Sequence, residues 1–302
     1  MTVTSLTLTN GELEVVILPE NGGAISEASY RGIQFMARPP RSAIAPVRLG
    51  DEADWVRAWN GGWQPLLPNA GTQYLEGRFP QGFHGNASQA EWRVEDRTET
   101  EVLLAWHDEE LQSYRSINLA PDQITASGRL VNLSNEPRQF TLTEHLVFGD
   151  SFLKSDVKLH INDRAQFMEL NYDGTAKDAP YKPWSEVVSS DWSSVNRSTP
   201  ARLGLIKDVA PSGVTATGES LKVTVTWDTE NLPFLWIWEE MGSTQSEPWL
   251  GEYFCLGIEP STSPHGAGLG EALRTGTVNT LGPKERFHWW VALKVASTRI
   301  KE

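Results

Sequence analysis

The chain has 302 residues, of which 39% are hydrophobic and 22% charged, the balance of an ordinary globular protein. Its net charge of -13 repels phosphate backbones and anionic membrane surfaces, so nucleic acid and membranes are poor candidates for partners. The single cysteine, Cys255, excludes an intrachain disulfide framework and a cysteine-based zinc site.

Apolar and polar residues alternate with a period of two from the start of the chain. Residues 5–9 and 13–18 flank a Gly-Glu turn, which predicts an amino-terminal hairpin. The same alternation predicts strands at residues 102–106, 124–131, 139–147, 221–227, 234–238 and 287–295. Helical periodicity is nowhere sustained over three turns, and turn-forming residues cluster between the predicted strands. The pattern predicts an all-β fold, a large antiparallel β-sandwich of two stacked sheets.

Two long segments, residues 37–92 and 165–220, carry few clear strand patterns and hold many of the 13 tryptophans. Long loops inside a compact β domain are more often functional than decorative. An exposed indole is a flat apolar plate with one donor, which suits the C–H face of a sugar ring. Core packing explains most single tryptophans. Together, six in polar or loop-like surroundings favour a carbohydrate ligand: Trp55, Trp59, Trp63, Trp184, Trp192 and Trp249.

Two histidines and a glutamate are the remaining candidates for chemistry. The chain has no phosphate-binding glycine loop, no serine nucleophile elbow and no closely spaced histidine pair for a metal. Glu259 follows an apolar run and precedes a proline, which predicts a carboxylate aimed out of the end of a sheet. His145 lies in a predicted strand and His84 in a glycine-flanked turn. Each alone fits a structural role, but together they form a candidate acid and base.

Five segments resemble the galactose mutarotase (aldose 1-epimerase) superfamily in order and approximate spacing: residues 18–26, 61–71, 83–85, 143–148 and 256–263. The resemblance covers nearly the whole chain. It implies a single β-supersandwich domain over residues 1–302, with a sugar in a cleft on one sheet. The family's catalytic glutamate corresponds to Glu259, its catalytic histidine to His145 and its second active-site histidine to His84.

The resemblance implies an isomerase that interconverts the α and β anomers of a free aldohexose without a metal or organic cofactor. Glu259 would remove the proton of the C1 hydroxyl and His145 would protonate the ring oxygen, while His84 would bond a sugar oxygen. Desolvation is expected to raise the pKa of Glu259, and a nearby carboxylate is expected to hold His145 as its cation.

The substrate-binding residues are predicted less directly. Many members of the superfamily carry an arginine shortly after Pro-Asn, where this chain has Ala70. Arg78 is the nearest substitute, and Asp191 is the candidate for the substrate-binding aspartate, against the alternative of a solvated loop residue. The predicted substrate-binding set is His84, Asn69, Arg78, Trp63, Trp238 and Asp191.

Two alternatives stay open. A hexose-6-phosphate 1-epimerase would need several cations around the cleft, and Arg38, Arg41 and Arg48 lie close enough in sequence to supply them. A non-catalytic sugar-binding protein of the same fold would keep the tryptophans without needing an acid and a base. The amino terminus lacks a signal peptide and no apolar run reaches the length of a membrane helix, so a cytoplasmic monomer or homodimer acting on a small-molecule sugar is expected.

Overall fold

The computed structural model describes residues 5–149, 151–187 and 191–298. Within these ranges the first strands are β1 (Leu6–Thr9), β2 (Leu13–Leu18), β3 (Ala24–Tyr30), β4 (Ile33–Gln34), β5 (Trp63–Leu66), β6 (Arg93–Arg97), β7 (Glu101–His107), β8 (Leu111–Ala120), β9 (Gln123–Asn132), β10 (Arg138–Phe140) and β11 (Thr143–Phe148). The later strands are β12 (Val157–His160), β13 (Gln166–Leu170), β14 (Lys182–Pro183), β15 (Ser194–Val195), β16 (Arg202–Lys207), β17 (Val214–Thr217), β18 (Leu221–Trp227), β19 (Phe234–Met241), β20 (Phe254–Ser261), β21 (Asn279–Leu281) and β22 (Arg286–Ser297).

Short helices connect the strands: α1 (Glu52–Ala58), α2 (Trp184–Val187) and α3 (Gly268–Thr275), with 3-10 turns at Asn86–Gln89 and Asp191–Ser193. Each helix is at most 8 residues long, which agrees with the lack of sustained helical periodicity in the sequence. In the part of the chain that the structure describes, no helix has the length and apolar character needed to span a bilayer.

All strand pairs among the described residues are antiparallel, and all except the β10–β21 pair belong to two large sheets. The eleven-stranded sheet has the order β1-β2-β3-β5-β11-β20-β19-β16-β13-β14, with β4 beside β3. The nine-stranded sheet has the order β15-β12-β17-β18-β22-β9-β8-β7-β6, and β10 pairs with β21 alone. The predicted amino-terminal hairpin is β1 and β2, with Leu6 opposite Ile17.

The main hydrophobic core lies between the two large sheets. Val15 and Ile25 of the eleven-stranded sheet share one buried cluster with Ile117 and Val291 of the nine-stranded sheet, and all four are 0% exposed. Each such aliphatic side chain contributes about 1.5–3 kcal/mol through burial. The prediction of a large antiparallel β-sandwich is confirmed.

A buried ion pair joins the two sheets through this core. The Glu144 carboxylate on β11 accepts hydrogen bonds from Arg115 Nη1 on β8 at 2.8 and 2.9 Å. The indoles of Trp63 and Trp289 donate to the same carboxylate at 2.7 and 2.6 Å. Glu144 and Arg115 are each 1% exposed, and the four donated bonds stabilise the buried carboxylate.

Residues 139–147, predicted as one strand, form two strands that belong to different sheets. The chain leaves β10 at Thr141 and enters β11 at Thr143. Between them, Thr141 N–H donates to Pro68 O at 2.9 Å and Leu142 N–H donates to Thr262 Oγ1 at 2.9 Å. At this point the backbone therefore forms hydrogen bonds with neighbouring loops instead of with a strand. Alternation of apolar and polar residues in the sequence does not show that the chain passes from one sheet to another here.

The segment 165–220, predicted to carry few strands, contains β13 to β17. The longest of them, β16, is buried on both faces, because Ile206 packs in the main core while Leu203 and Leu205 pack in a second cluster on the far side of the sheet. A strand that is buried on both faces reads as a continuous apolar run. For this reason a search for alternating apolar and polar residues does not find β16.

The second hydrophobic cluster covers the face of the eleven-stranded sheet that lies away from the main core, and α1 is part of it. The helix begins after Asp51, whose carboxylate accepts from Asp54 N–H at 3.0 Å, while the Asp54 carboxylate accepts from Asp51 N–H in return. This capping box fixes the start of a helix of only 7 residues. Trp55 and Trp59, one turn apart, bury the inner side of α1 against the sheet.

Candidate functional site

The covered face of the eleven-stranded sheet carries His145 and Glu259 side by side. His145 lies on β11 and Glu259 on the adjacent β20. The pairing of Thr143 with Ser261 sets the register of these strands, and two residues further along β11 His145 lies opposite Glu259. Directly opposed residues of an antiparallel pair have Cβ atoms about 4.5–5.5 Å apart. The two acid–base candidates from the sequence therefore meet on one face.

Glu259 lies inside β20, which corrects the prediction that it ends a strand. The strand continues through Pro260 to Ser261, which pairs with Phe234 of β19. Proline removes one ladder hydrogen bond, but pairing on both sides of it keeps the strand in the sheet. The Glu259 carboxyl group therefore projects from the face of the sheet rather than from its end, and the residue is 3% exposed.

A cavity of about 150 Å³ lies over His145 and Glu259. An engineered apolar cavity of about 150 Å³ binds benzene, so the volume suits one six-membered ring. The polar part of its lining is Glu52, Thr72, His84, His145, Tyr172, Asp173 and Glu259. The apolar part is Trp55, Val56, Trp59, Phe83, Leu203, Trp236, Trp238 and Trp249.

His84 enters the cavity from a turn with a left-handed φ of 60°. Its backbone N–H donates to Gly71 O at 2.8 Å, and Gly71 N–H donates to the imidazole Nδ1 at 3.0 Å. A backbone N–H can only donate, so Nδ1 is the unprotonated nitrogen and Nε2 carries the ring hydrogen. The two bonds fix both the orientation and the tautomer of His84.

Asn69, predicted to bind substrate, holds the His84 turn instead. Its Nδ2 donates to the carbonyl groups of Gly71, Thr72 and Gly82, and its Oδ1 accepts from Leu269 N–H at 2.6 Å. The side chain is 0% exposed and is absent from the cavity lining. The prediction that Asn69 binds substrate is wrong, because its side-chain amide forms hydrogen bonds with the backbone of the loops instead.

Aromatic rings surround both histidines. The ring centroids of His84 and His145 are 5.5 Å apart. Trp55 contacts both edge-on, with centroid distances of 4.6 Å to His84 and 5.4 Å to His145. Trp59 lies 5.6 Å from His145, and Trp238 stacks on the other side of it at 6.1 Å and 29°. These contacts place both imidazole rings among aromatic side chains at the wall of the cavity.

Burial drives the three central groups toward their neutral forms. Desolvation lowers the pKa of His145 to about 3. Desolvation and, second to it, repulsion from His145 lower the pKa of His84 well below its ordinary value. Desolvation raises the pKa of Glu259 well above its ordinary value, as predicted. The expectation that a nearby carboxylate holds His145 as its cation is wrong, because desolvation by burial lowers the pKa of His145 instead of raising it.

Gly257 leaves the space that the Glu259 side chain occupies. A Cβ added at Gly257 would overlap Glu259 Oε1. We expect Gly257→Ala to displace the carboxyl group, which is the flexible end of a side chain, and so to lower the rate of any reaction in which Glu259 transfers a proton by about tenfold or more, while the melting temperature changes by a few degrees. The reaction rate and the melting temperature, measured on the same sample, check this prediction. A full loss of the fold, or an unchanged rate, would contradict the displacement.

Trp238 lines the cavity as predicted, but Trp63 does not. Trp63 lies on β5 with its indole in the main core, where it donates to Glu144 at 2.7 Å. Side chains of successive strand residues point to opposite faces, so Trp63 lies on the face away from His145. Its proposed role as a sugar-stacking platform is corrected for that reason.

Arg78 also lies outside the cavity. Its guanidinium group binds Glu110 at 2.9 Å, and its side chain is 70% exposed. The prediction that Arg78 contacts the substrate is therefore wrong, because Arg78 forms a salt bridge in a surface region outside the cavity. Asp191 begins a 3-10 turn, but its side chain lies outside the described residues, so that prediction stays a prediction.

Several cavity residues were not singled out from the sequence. Glu52 and Val56 come from α1, which is too short for helical periodicity to identify. Tyr172 and Asp173 come from the turn after β13, and no motif marks them. The tryptophan content of the loops was the available signal, since Trp55, Trp59 and Trp249 do line the cavity.

The arrangement can transfer protons but does not present a metal site. Within the described ranges, no group of three or more His, Cys, Asp or Glu side chains is placed to hold a metal ion. The opposed His145 and Glu259 can each give or accept a proton, and His84 supplies a fixed hydrogen-bond donor. Such a constellation suits acid–base chemistry on a ring-sized molecule.

Residues 1–295 match a family model described as a domain of unknown function, DUF4432. No protein of curated function matches the chain in sequence.

Solved structures share the fold over almost the whole chain. A galactose mutarotase related enzyme from Lactobacillus acidophilus is 18% identical with a TM-score of 0.72, and the match covers 99% of this chain and 100% of that one. A galactose mutarotase-like protein from Clostridium acetobutylicum is 16% identical with a TM-score of 0.68, covering 97% and 95%. The galactose 1-epimerase of Lactobacillus acidophilus NCFM is 15% identical with a TM-score of 0.63, covering 98% and 95%. The resemblance to the galactose mutarotase superfamily is confirmed at the level of the fold.

Proposed function

We propose that this chain, which belongs to the family described as domain of unknown function DUF4432, is an aldose 1-epimerase that interconverts the α and β anomers of a free aldohexose. The observation that carries the proposal is the opposition of His145 and Glu259 on adjacent strands, under a cavity the size of one sugar ring. Solved structures with the same fold, named as galactose mutarotase-like proteins and a galactose 1-epimerase, support the same reading.

In the proposed reaction Glu259 takes the proton of the C1 hydroxyl while His145 gives a proton to the ring oxygen. The C1–O5 bond breaks and leaves an open-chain aldehyde. Rotation about C1–C2 then presents the other face of the carbonyl, and the same two proton transfers run in reverse to close the ring. The net reaction needs no oxidant or co-reactant, because every atom and electron stays in the sugar.

Burial favours the neutral forms of Glu259 and His145, and the proposed reaction requires that they first become a charged pair. Moving one proton from Glu259 to His145 creates that pair without changing the net charge of the site. Hydrogen bonds to a charged form favour it, and the hydroxyl groups of a bound sugar can bond both the carboxylate and the imidazolium. In this proposal substrate binding therefore supplies the active protonation state.

His84 is assigned to the sugar oxygens. Gly71 occupies its Nδ1, so the Nε2–H is the donor left for a ligand. A donor fixed by two backbone bonds needs no reorganisation when charge develops on a carbonyl oxygen. We propose that His84 steadies the open-chain aldehyde, while the indoles of the wall pack on the C–H faces of the ring.

The residues that line the cavity give less support to the two alternatives, a hexose-6-phosphate 1-epimerase and a non-catalytic sugar-binding protein. A hexose-6-phosphate would bring a dianion, yet no lysine or arginine among the described residues lines the cavity. Three arginines kept that alternative open: Arg38 and Arg41 bind Glu27 and Glu252 instead, and Arg48 lines a different cavity. A non-catalytic sugar-binding protein would have no use for an opposed acid and base, whose burial costs stability.

Exchange between anomers tests the proposal directly. We expect exchange NMR to show enzyme-dependent conversion of at least one free aldohexose, and little or no conversion of aldose 6-phosphates. The uncatalysed rate in the same buffer is the control. A panel of aldohexoses and aldopentoses in which no sugar exchanges faster than this control would contradict the function.

A further inference from the structure

The cavity carries carboxyl groups but no cation. Glu52, Asp173 and Glu259 line it, and no lysine or arginine of the described ranges does. Its two histidines are neutral, because burial lowers the pKa of each. Burial favours the neutral form of Glu259, so Glu52 and Asp173 are the lining groups that make the electrostatic potential at the cavity negative, and a positively charged ligand is attracted to it.

Carboxylates just outside the cavity already have cationic partners. Arg57 approaches both Asp54 and Glu247 at 3.9 Å, and Arg41 binds Glu252 at 2.9 Å. By contrast, no salt bridge among the described residues reaches the carboxylates that line the cavity. The unpaired negative charge is thus concentrated where a ligand would bind.

Glu52 is held at the mouth of the cavity. It is the first residue of α1, and its carboxylate accepts a hydrogen bond from Trp249. Desolvation raises the pKa of Glu52, and that hydrogen bond partly opposes the rise. Its position is fixed by the capped helix, and because the residue is exposed, its carboxylate is open to an approaching cation.

The walls add a second attraction for a cation. Five indoles line the cavity: Trp55, Trp59, Trp236, Trp238 and Trp249. The face of an indole carries negative charge density, and a cation over it gains about 0.5–2 kcal/mol depending on desolvation. Neutral sugars use the same faces only through C–H contacts. Aromatic walls beside unpaired carboxylates suit a ligand that is both a ring and a cation.

We propose that the preferred substrates of this cavity are aldoses that carry a protonated amine, with the ammonium group beside Glu52. The inference rests on the proposed function, since it names the substrate class of the same site. An ammonium group fits better than a metal ion, because the described residues contain no cluster of ligands able to hold a metal.

The test compares matched sugars that differ in charge. Glucosamine and galactosamine are each paired with glucose or galactose and with the neutral N-acetyl form, at slightly acidic pH where the amine is protonated. Binding is measured by tryptophan fluorescence or calorimetry, and anomer exchange by NMR, in the wild type, in Glu52→Gln and in Glu247→Gln. Glu247→Gln is the matched control, because it removes one carboxylate near α1 that pairs with Arg57 and does not line the cavity.

We expect each amino sugar to bind about fivefold more tightly than both neutral partners. Added salt should weaken that preference. Glu52→Gln should reduce it about two- to fivefold, and Glu247→Gln should leave it unchanged. Anomer exchange of neutral sugars with equal or weaker binding of the amino sugars would overturn this inference and leave the proposed function standing. Tighter binding of amino sugars without exchange of any sugar would support an ammonium site beside Glu52 and overturn the proposed function, and absence of binding by every sugar would overturn both.

Discussion

Replacing Glu259 with glutamine is expected to lower the rate of anomer exchange by about 10²–10⁴-fold, while sugar affinity changes by a few-fold at most. The amide keeps the size of the side chain and its place opposite His145, but it cannot take the proton of the C1 hydroxyl. Exchange NMR at saturating sugar gives the rate, and fluorescence titration gives the affinity. Unchanged turnover would remove Glu259 from the reaction.

The same variant carries its own control for folding. Burial raises the pKa of Glu259 above its unfolded value of 4.5, so the native state keeps a proton that the unfolded chain loses. The stability from this group is full below about pH 4.5 and falls as the pH rises through the folded pKa. Glutamine has no such proton. We therefore expect Glu259→Gln to be more stable than the wild type at alkaline pH and equal to it near pH 4.

Denaturant midpoints across this pH range measure the difference between the two proteins. A variant less stable than the wild type at alkaline pH would contradict the burial of an ionisable carboxyl group. A variant that is stable but inactive separates the role of Glu259 in catalysis from its role in the fold.

Replacing Glu144 with leucine is expected to lower the free energy of unfolding by about 3–5 kcal/mol. Arg115 would remain in the core at 1% exposure with no carboxylate beside it. The indoles of Trp63 and Trp289 would lose their acceptor as well. Urea denaturation followed by tryptophan fluorescence measures the loss.

Two further variants separate the ion pair from packing. Adding Arg115→Met to Glu144→Leu should restore much of the stability, because it removes the unpaired buried charge. Glu27→Gln removes the carboxylate partner of Arg38, in a surface pair whose side chains are 43% and 53% exposed, and should cost at most about 1 kcal/mol. If the double variant is no more stable than Glu144→Leu alone, the buried charge is not the cause of the loss.

The alternating strands that were predicted from the sequence have one buried face. Strands such as β9 and β18 alternate between buried and more exposed residues, and period-two patterns report that directly. Strand β16 could not be found this way, since apolar clusters cover both of its faces. The change of sheet at Thr141 depends on hydrogen bonds to distant loops, for which the local sequence carries no pattern.

The centre of the site could be predicted, but its periphery could not. His145 and Glu259 lie on strands, and the register of a sheet brings them together. Asn69 and Arg78 lie on loops, where the direction of a side chain depends on contacts made only in the folded chain. Those contacts turned Asn69 toward backbone carbonyl groups and Arg78 toward Glu110.

The neighbouring residues Glu144 and His145 have opposite effects on the stability of the fold. One side chain points into the core and ties the two sheets together, while the other points into the cavity with its Nδ1 buried and without a hydrogen-bond partner among the described residues, which costs stability. A library of random variants sorted only for soluble protein would therefore retain Glu144 and readily lose His145. A search for more stable forms of this protein has to include an activity screen from the first round, because the substitutions that stabilise it most easily include those that remove the acid and the base.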